Sequence, residues 1–159
     1  GVARTDHLTL ALGFSQLRAI SKTGRARPFD AAADGLVPGE GCGLFLLRRL
    51  SDAQARGEDI LGVVRAVGLS NDGKGRGVLH PSTDGQVRSL RNAYAEAGVD
   101  PSSIGMVECH ATGTPVGDAT ELGSLARVME GREDALTLGS LKANIGHLVT
   151  AAGAAGGRR

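Results

Sequence analysis

Two histidines stand in the residue patterns of this chain that are most suited to chemistry. His110 lies in Val107-Glu108-Cys109-His110-Ala111-Thr112-Gly113-Thr114-Pro115, and His147 in Leu141-Lys142-Ala143-Asn144-Ile145-Gly146-His147. Each follows a short apolar run and enters a glycine-containing turn, which places each at the carboxyl end of a strand, the edge where open α/β sheets bind ligands. A neutral imidazole can donate its N–H to a carbonyl oxygen, and two such donors in one pocket suit an oxygen that gains negative charge. Taken singly, either ring reads as a satisfied core histidine; two of them at matching strand ends favour a shared site. A metal site is the competing reading. Cys109 and His110 are adjacent, so they point to opposite faces of a strand, and no Cys-x-x-Cys or His-x-x-x-His spacing occurs. His7 and His80 stand in no motif and receive no role.

The elements that must position these rings follow from local pattern. Ile104, Met106 and Val107 form the strand before His110. Asp118 and Glu121 have the spacing of a capping box and predict a helix through Leu122, Leu125, Ala126 and Met129. Leu136 to Leu141 is a second strand, followed by the His147 turn and an Ala/Gly-rich helix. Upstream, Leu10, Phe14, Leu17 and Ile20 recur at helical spacing toward a stop at Gly24. Pro28 to Gly43 reads as a loop whose Asp residues bond backbone N–H groups, leading into a strand at Leu44-Phe45-Leu46-Leu47. Ser51-Asp52-Ala53-Gln54 has capping-box spacing for a short helix ended by Gly57, and Ile60 to Leu69 alternates imperfectly as a strand. Gly68 to Gly75 fits a phosphate-binding loop except at its last position, where Gly75 has no hydroxyl for a metal ion, and no helix is expected from Gly75 to Pro81. Thr83-Asp84-Gly85-Gln86 can cap a helix bearing Val87, Leu90, Tyr94 and Ala97 and ended by Gly98. Alternation of strand and helix through the second half predicts an α/β fold with a mostly parallel sheet.

Composition agrees with that class. The chain has 159 residues, 41% of them hydrophobic but only 3% aromatic, with 25 glycines, so its core must come from Leu, Val and Ala. Its 18 basic and 17 acidic residues are interspersed, leaving a formal charge of +1 and no electrostatic footprint for nucleic acid or an anionic membrane. Two cysteines, Cys42 and Cys109, make no disulfide framework, which favours a reducing, cytoplasmic setting. No apolar run approaches the roughly 20 residues of a membrane span. The first residue is Gly1, and the last residues follow closely on a predicted helix start, so both ends read as cut.

His110-Ala-Thr-Gly-Thr-Pro-Val-Gly-Asp118-x-x-Glu121, followed by Leu-Lys142-Ala-Asn144-Ile-Gly-His147, closely resembles the two histidine motifs of β-ketoacyl synthases, the condensing domains of fatty-acid and polyketide synthases. Phe29-Asp30 with Asp34-Gly35 and Gly39-Glu40-Gly41 is similar to a further segment of that family, in the same order. Ala111 and Ala143 depart from the commoner Gly and Ser, which suggests a subfamily near iterative polyketide synthases. The resemblance implies a thiolase-like layered α/β/α/β/α fold, incomplete here, with residues 1–70 the late part of the first half and 71–159 a truncated second half, joined near the Gly68–Gly75 loop. It implies decarboxylative Claisen condensation of acyl and malonyl thioesters, with His110 and His147 stabilising the enolate. Lys142 and Glu121 would support them as an ion pair, Thr112 and Thr114 would hold the loop or the phosphopantetheine arm of an acyl carrier protein, and Asn144 belongs to the same motif. Phe14 falls near the family's acyl pocket, although a Phe on a helix face reads first as core. The partners implied are the carrier protein and a second copy in a homodimer; the chain itself is expected to bind no cofactor and no metal. The family's nucleophilic cysteine lies in a motif absent here, and neither Cys42 nor Cys109 has its setting. The chain alone is therefore expected to be inactive, and the alternative role is a non-catalytic scaffold or dimer-interface piece of a synthase.

Overall fold

The fold comes from a computed structural model and is described for residues 1–5, 8–74 and 80–157; His7 and Gly75 lie outside the described residues. Four strands and six α-helices lie along the described chain: β1 (Val2–Ala3), α1 (Leu8–Gln16), β2 (Gly41–Cys42), α2 (Leu50–Ala55), α3 (Thr83–Ala97), β3 (Met106–Glu108), α4 (Pro115–Val128), β4 (Thr137–Gly139), α5 (Lys142–Ile145) and α6 (Ala152–Gly156). β1 pairs antiparallel with β2. β3 and β4 pair in parallel, with Val107 opposite Leu138 and Glu108 opposite Gly139. The two strands expected before the histidines are thus neighbours in one sheet, but only His110 follows its strand directly: β4 ends at Gly139, and His147 comes after α5, where it bridges Pro38.

The helix starts differ from their sequence signals in informative ways. α3 is capped by Ser82, one residue before the expected Thr83; its side chain accepts the Gly85 N–H at 3.2 Å, and Gly98 closes the helix with φ 61. Val87 is buried on the inner face, with Leu90, Tyr94 and Ala97 half-buried beside it. α4 begins three residues before Asp118, because Pro115 at its first position has the required φ and needs no N–H there. The expected capping box at Asp118 and Glu121 therefore does not form. The buried stripe of α4 is Asp118, Ser124, Leu125 and Val128, while Leu122 and Ala126 face outward. Ser124 is fully buried between α3 and α4 and donates to Gln86 Oε1 at 2.8 Å. At α2 the cap position is Arg49 with no side-chain bond, so the Ser51 box is also unformed, whereas Gly57 follows the helix with φ 63 as expected.

Other expectations fail for want of a partner. α1 stops at Gln16, far short of Gly24, and buries none of its residues; Ile20 instead bridges Leu36. Leu44–Leu47 and Ile60–Leu69 form no strand among the described residues, and Leu44 is 93% and Leu61 102% exposed. Apolar alternation makes a strand only where a neighbouring strand satisfies its backbone. The Gly68 segment lies along α3 instead of forming a phosphate cradle: Ser89 Oγ donates to Gly68 O at 2.9 Å and Arg88 to Asn71 O at 2.7 Å. A Cβ at Gly68 would sit 2.0 Å from Ser89 O, so this glycine permits close approach to the helix.

The site rests on a small core. Cys109, Ala111 and Leu125 are buried together, with Phe29, Leu90, Val107 and Leu138 packed around them. Ala111 is 1% exposed, which gives the methyl that departs from the family's glycine a packing role. A second cluster of Ala3, Leu148 and Ala151 lies under the His147 turn.

Candidate active site

The loop carrying His110 is held by carboxylates that reach back from α4. Glu121 accepts the His110 and Ala111 N–H groups, each at 2.7 Å. Asp118, buried, accepts Thr112 N–H at 3.1 Å, Gly113 N–H at 3.2 Å and Phe29 N–H at 2.9 Å. These backbone donors have no ladder partner after the strand ends, and ionised acceptors make the stronger kind of bond. Gly113 turns the chain with φ 82, and its carbonyl accepts Gly35 N–H at 2.9 Å, tying the loop to the Asp34-Gly35 segment. Asp34 accepts from Ser21 Oγ at 2.6 Å and from the Lys22 and Thr23 N–H groups at 3.0 Å, so the expected Asp-bonded loop is present; the Ser21 hydroxyl foremost holds the Asp34 carboxyl below its ordinary range. Thr112 and Thr114 hydroxyls bond each other at 3.1 Å.

His147 is fixed from both sides of its backbone. Its N–H donates to Val37 O at 2.7 Å and its carbonyl accepts Gly39 N–H at 3.0 Å. Val149 N–H donates to the ring Nδ1 at 3.2 Å, which assigns the ring proton to Nε2. Burial first, then the neighbouring His110 and Lys142, pushes the His147 pKa down to about 4. At neutral pH the ring is therefore uncharged with an Nε2–H to donate. The His110 and His147 rings meet edge to face, centroids 5.7 Å apart.

Beside them lies an open cavity of about 350 Å³ whose lining includes Glu108, His110, Leu141, Lys142 and Gly153. His147 is not in that lining; its ring lies against that of His110. Lys142 and Glu121 do not form the expected ion pair. Lys142 Nζ donates to Cys109 O at 3.3 Å, because the Glu121 carboxylate is already occupied by the His110 turn. Asn144 is exposed on α5, and Phe14 is half-buried on α1 and lines no part of this cavity. Cys109 is buried, and burial with Glu121 and Glu108 nearby pushes its thiol up to about 12; Cys42 is exposed on β2. The Cys109 thiol thus lacks the electropositive setting that makes a nucleophile.

Two contributors were missed by pattern reading. Glu108 Oε1 accepts Leu141 N–H at 2.6 Å, and Ser140 Oγ donates to Ala111 O at 2.7 Å, joining the two strand ends side by side. A Glu at the end of an apolar strand was the available signal for the first.

Residues 61–157 match the beta-ketoacyl synthase C-terminal domain and residues 1–53 its N-terminal domain. The chain is 47% identical over 146 residues to a mycocerosic acid synthase-like polyketide synthase of Mycolicibacterium smegmatis, covering 92% of this chain and 7% of that protein. It is also 47% identical over 150 residues to the polyketide synthase ThaG of Burkholderia thailandensis, covering 91% of this chain and 3% of that one. Among solved structures, the oxazolomycin ketosynthase domain of Streptomyces albus superposes with a TM-score of 0.94 at 36% identity, over 99% of this chain and 28% of its own. A ketosynthase from module 6 of the bacillaene synthase of Bacillus subtilis gives a TM-score of 0.90 at 35% identity, over 29% of its length. These likenesses give the α/β architecture its name, the thiolase-like ketosynthase fold, and with the paired histidine turns they establish that the chain belongs to the β-ketoacyl synthase family.

Proposed function

We propose that this chain supplies the enolate-stabilising part of a polyketide ketosynthase active site, acting within a longer condensing enzyme. The carrying observation is the His110–His147 pair, ring centroids 5.7 Å apart, with His110 just past the end of β3, His147 just past α5, and Nε2–H of His147 free of the local bond made by Nδ1. In this reading a malonyl thioester loses CO₂, and the electron pair of the broken C–C bond becomes an enolate. The two imidazoles donate to its oxygen, each such donor being worth about 3 to 4 kcal/mol. The enolate carbon then attacks an acyl thioester held on a cysteine, a C–C bond forms, and the thiolate leaves. Glu121 and Asp118 hold the His110 loop, Lys142 braces it through Cys109 O, and Thr112 with Thr114 stiffens the turn.

The substrates in this reading arrive on the phosphopantetheine arm of an acyl carrier protein, and the enzyme works as a cytoplasmic homodimer. No helix among the described residues is long and apolar enough to cross a membrane. The test separates two half-reactions in a ketosynthase containing this segment. His147→Ala should suppress CO₂ release from malonyl thioester while leaving acylation of the nucleophile near normal, since His147 donates to the enolate and does not activate sulfur. Undiminished CO₂ release in the variant would remove the role.

A further inference from the structure

Glu108 stands at the junction of the two histidine units without taking part in either motif's proposed chemistry. It ends β3, lines the cavity beside His110, and its Oε1 accepts the N–H of Leu141 at 2.6 Å. Leu141 is the cap position of α5 and has no side-chain cap of its own, so a carboxylate from the neighbouring strand satisfies a donor that the helix start leaves unpaired. α5 has four residues and leads through Gly146, φ 71, directly to His147. The other end of the His147 turn is already fixed by Val37 and Gly39. We propose that Glu108 is a positioning residue that sets the separation of the two imidazoles by clamping the start of α5 to the end of β3. The inference rests on the reading of the histidine pair as a shared donor site. Two cross-links run parallel to this clamp, Ser140 Oγ to Ala111 O at 2.7 Å and Lys142 Nζ to Cys109 O at 3.3 Å. The 3.3 Å Lys142 bond is longer, and the Ser140 bond reaches the loop rather than α5, which leaves Glu108 as the short bond on the helix start itself.

The experiment uses a ketosynthase containing this segment and compares Glu108→Ala, Glu108→Gln and His147→Ala. A misplacement of about 1 Å costs up to about a hundredfold in rate. Glu108→Ala should lower kcat for malonyl decarboxylation about ten- to hundredfold with KM little changed, while nucleophile acylation stays within about twofold. Glu108→Gln retains an oxygen acceptor for Leu141 N–H and should recover most of the rate. Glu108→Ala with undiminished decarboxylation overturns the clamp, as does a Gln variant as poor as Ala, which would mean that charge and not the bond matters. A parallel fall in acylation and decarboxylation would reveal a folding role and also overturn it. Failure of the histidine reading is distinct: it appears as normal CO₂ release in His147→Ala, whatever Glu108 does.

Discussion

His147 carries its proposed role in its protonation state. Its folded pKa lies near 4 against an ordinary 6.5, so the folded protein favours the neutral ring. The unfolded chain binds a proton more readily between those values, and stability rises with pH wherever that holds. The contribution of His147 is therefore fully present above the ordinary value and is lost as pH falls toward 4. Nitrogen-15 NMR should find the Nε2–H tautomer through neutral pH with a midpoint near 4; an Nδ1–H tautomer or an ordinary midpoint would contradict the geometry. Cys109 gives a second test at this scale. With its thiol pushed up to about 12 and its side chain buried, iodoacetamide at neutral pH should label Cys42 and leave Cys109 unmodified in the folded protein.

At the scale of elements, the two strands and the turn from Val107 to Pro115 were legible because each is a short local pattern, whereas Leu141 to His147 reads as a turn at a strand end and instead forms the short helix α5 before His147. The helix after His110 was legible in kind, but Asp118 and Glu121 were given the wrong task. Their spacing is that of a cap, and only the placement of Pro115 at the helix start reveals that both carboxylates serve the preceding loop. Replacing Asp118 by Ala leaves the N–H groups of Phe29, Thr112 and Gly113 without their acceptor. Unsatisfied buried donors cost about 1 to 3 kcal/mol each with partial relaxation, so Asp118→Ala should destabilise by about 3 to 5 kcal/mol in urea unfolding. Asp118→Asn, which keeps an acceptor oxygen, should lose clearly less, and equal losses would mean that the loop depends on charge alone.

At the scale of the molecule, the strands proposed at Leu44–Leu47 and Ile60–Leu69 were the main failures, for a physical reason. A helix satisfies its own backbone, whereas a strand borrows its partner from elsewhere, and no described strand pairs with either stretch. Leu44, Leu46, Leu61 and Leu69 stand 93%, 87%, 102% and 78% exposed. Apolar surface of that extent promotes association, so the 159-residue chain by itself should bind a hydrophobic dye and self-associate. Incubated with acyl-carrier substrates it should also acquire no acyl adduct on Cys42 or Cys109 by mass spectrometry; a stoichiometric adduct on Cys109, lost when His110 is replaced, would make the chain a self-sufficient acyl transferase.

In the proposed mechanism two imidazoles act on one oxygen. A double-mutant cycle on CO₂ release tests it directly, using His110→Ala, His147→Ala and the pair in a ketosynthase containing this segment. Each single loss should cost about a hundred- to a thousandfold. Groups that act as a unit are strongly non-additive, so the double variant should fall little below the worse single variant. A double variant whose loss equals the product of the two single losses would contradict a shared site.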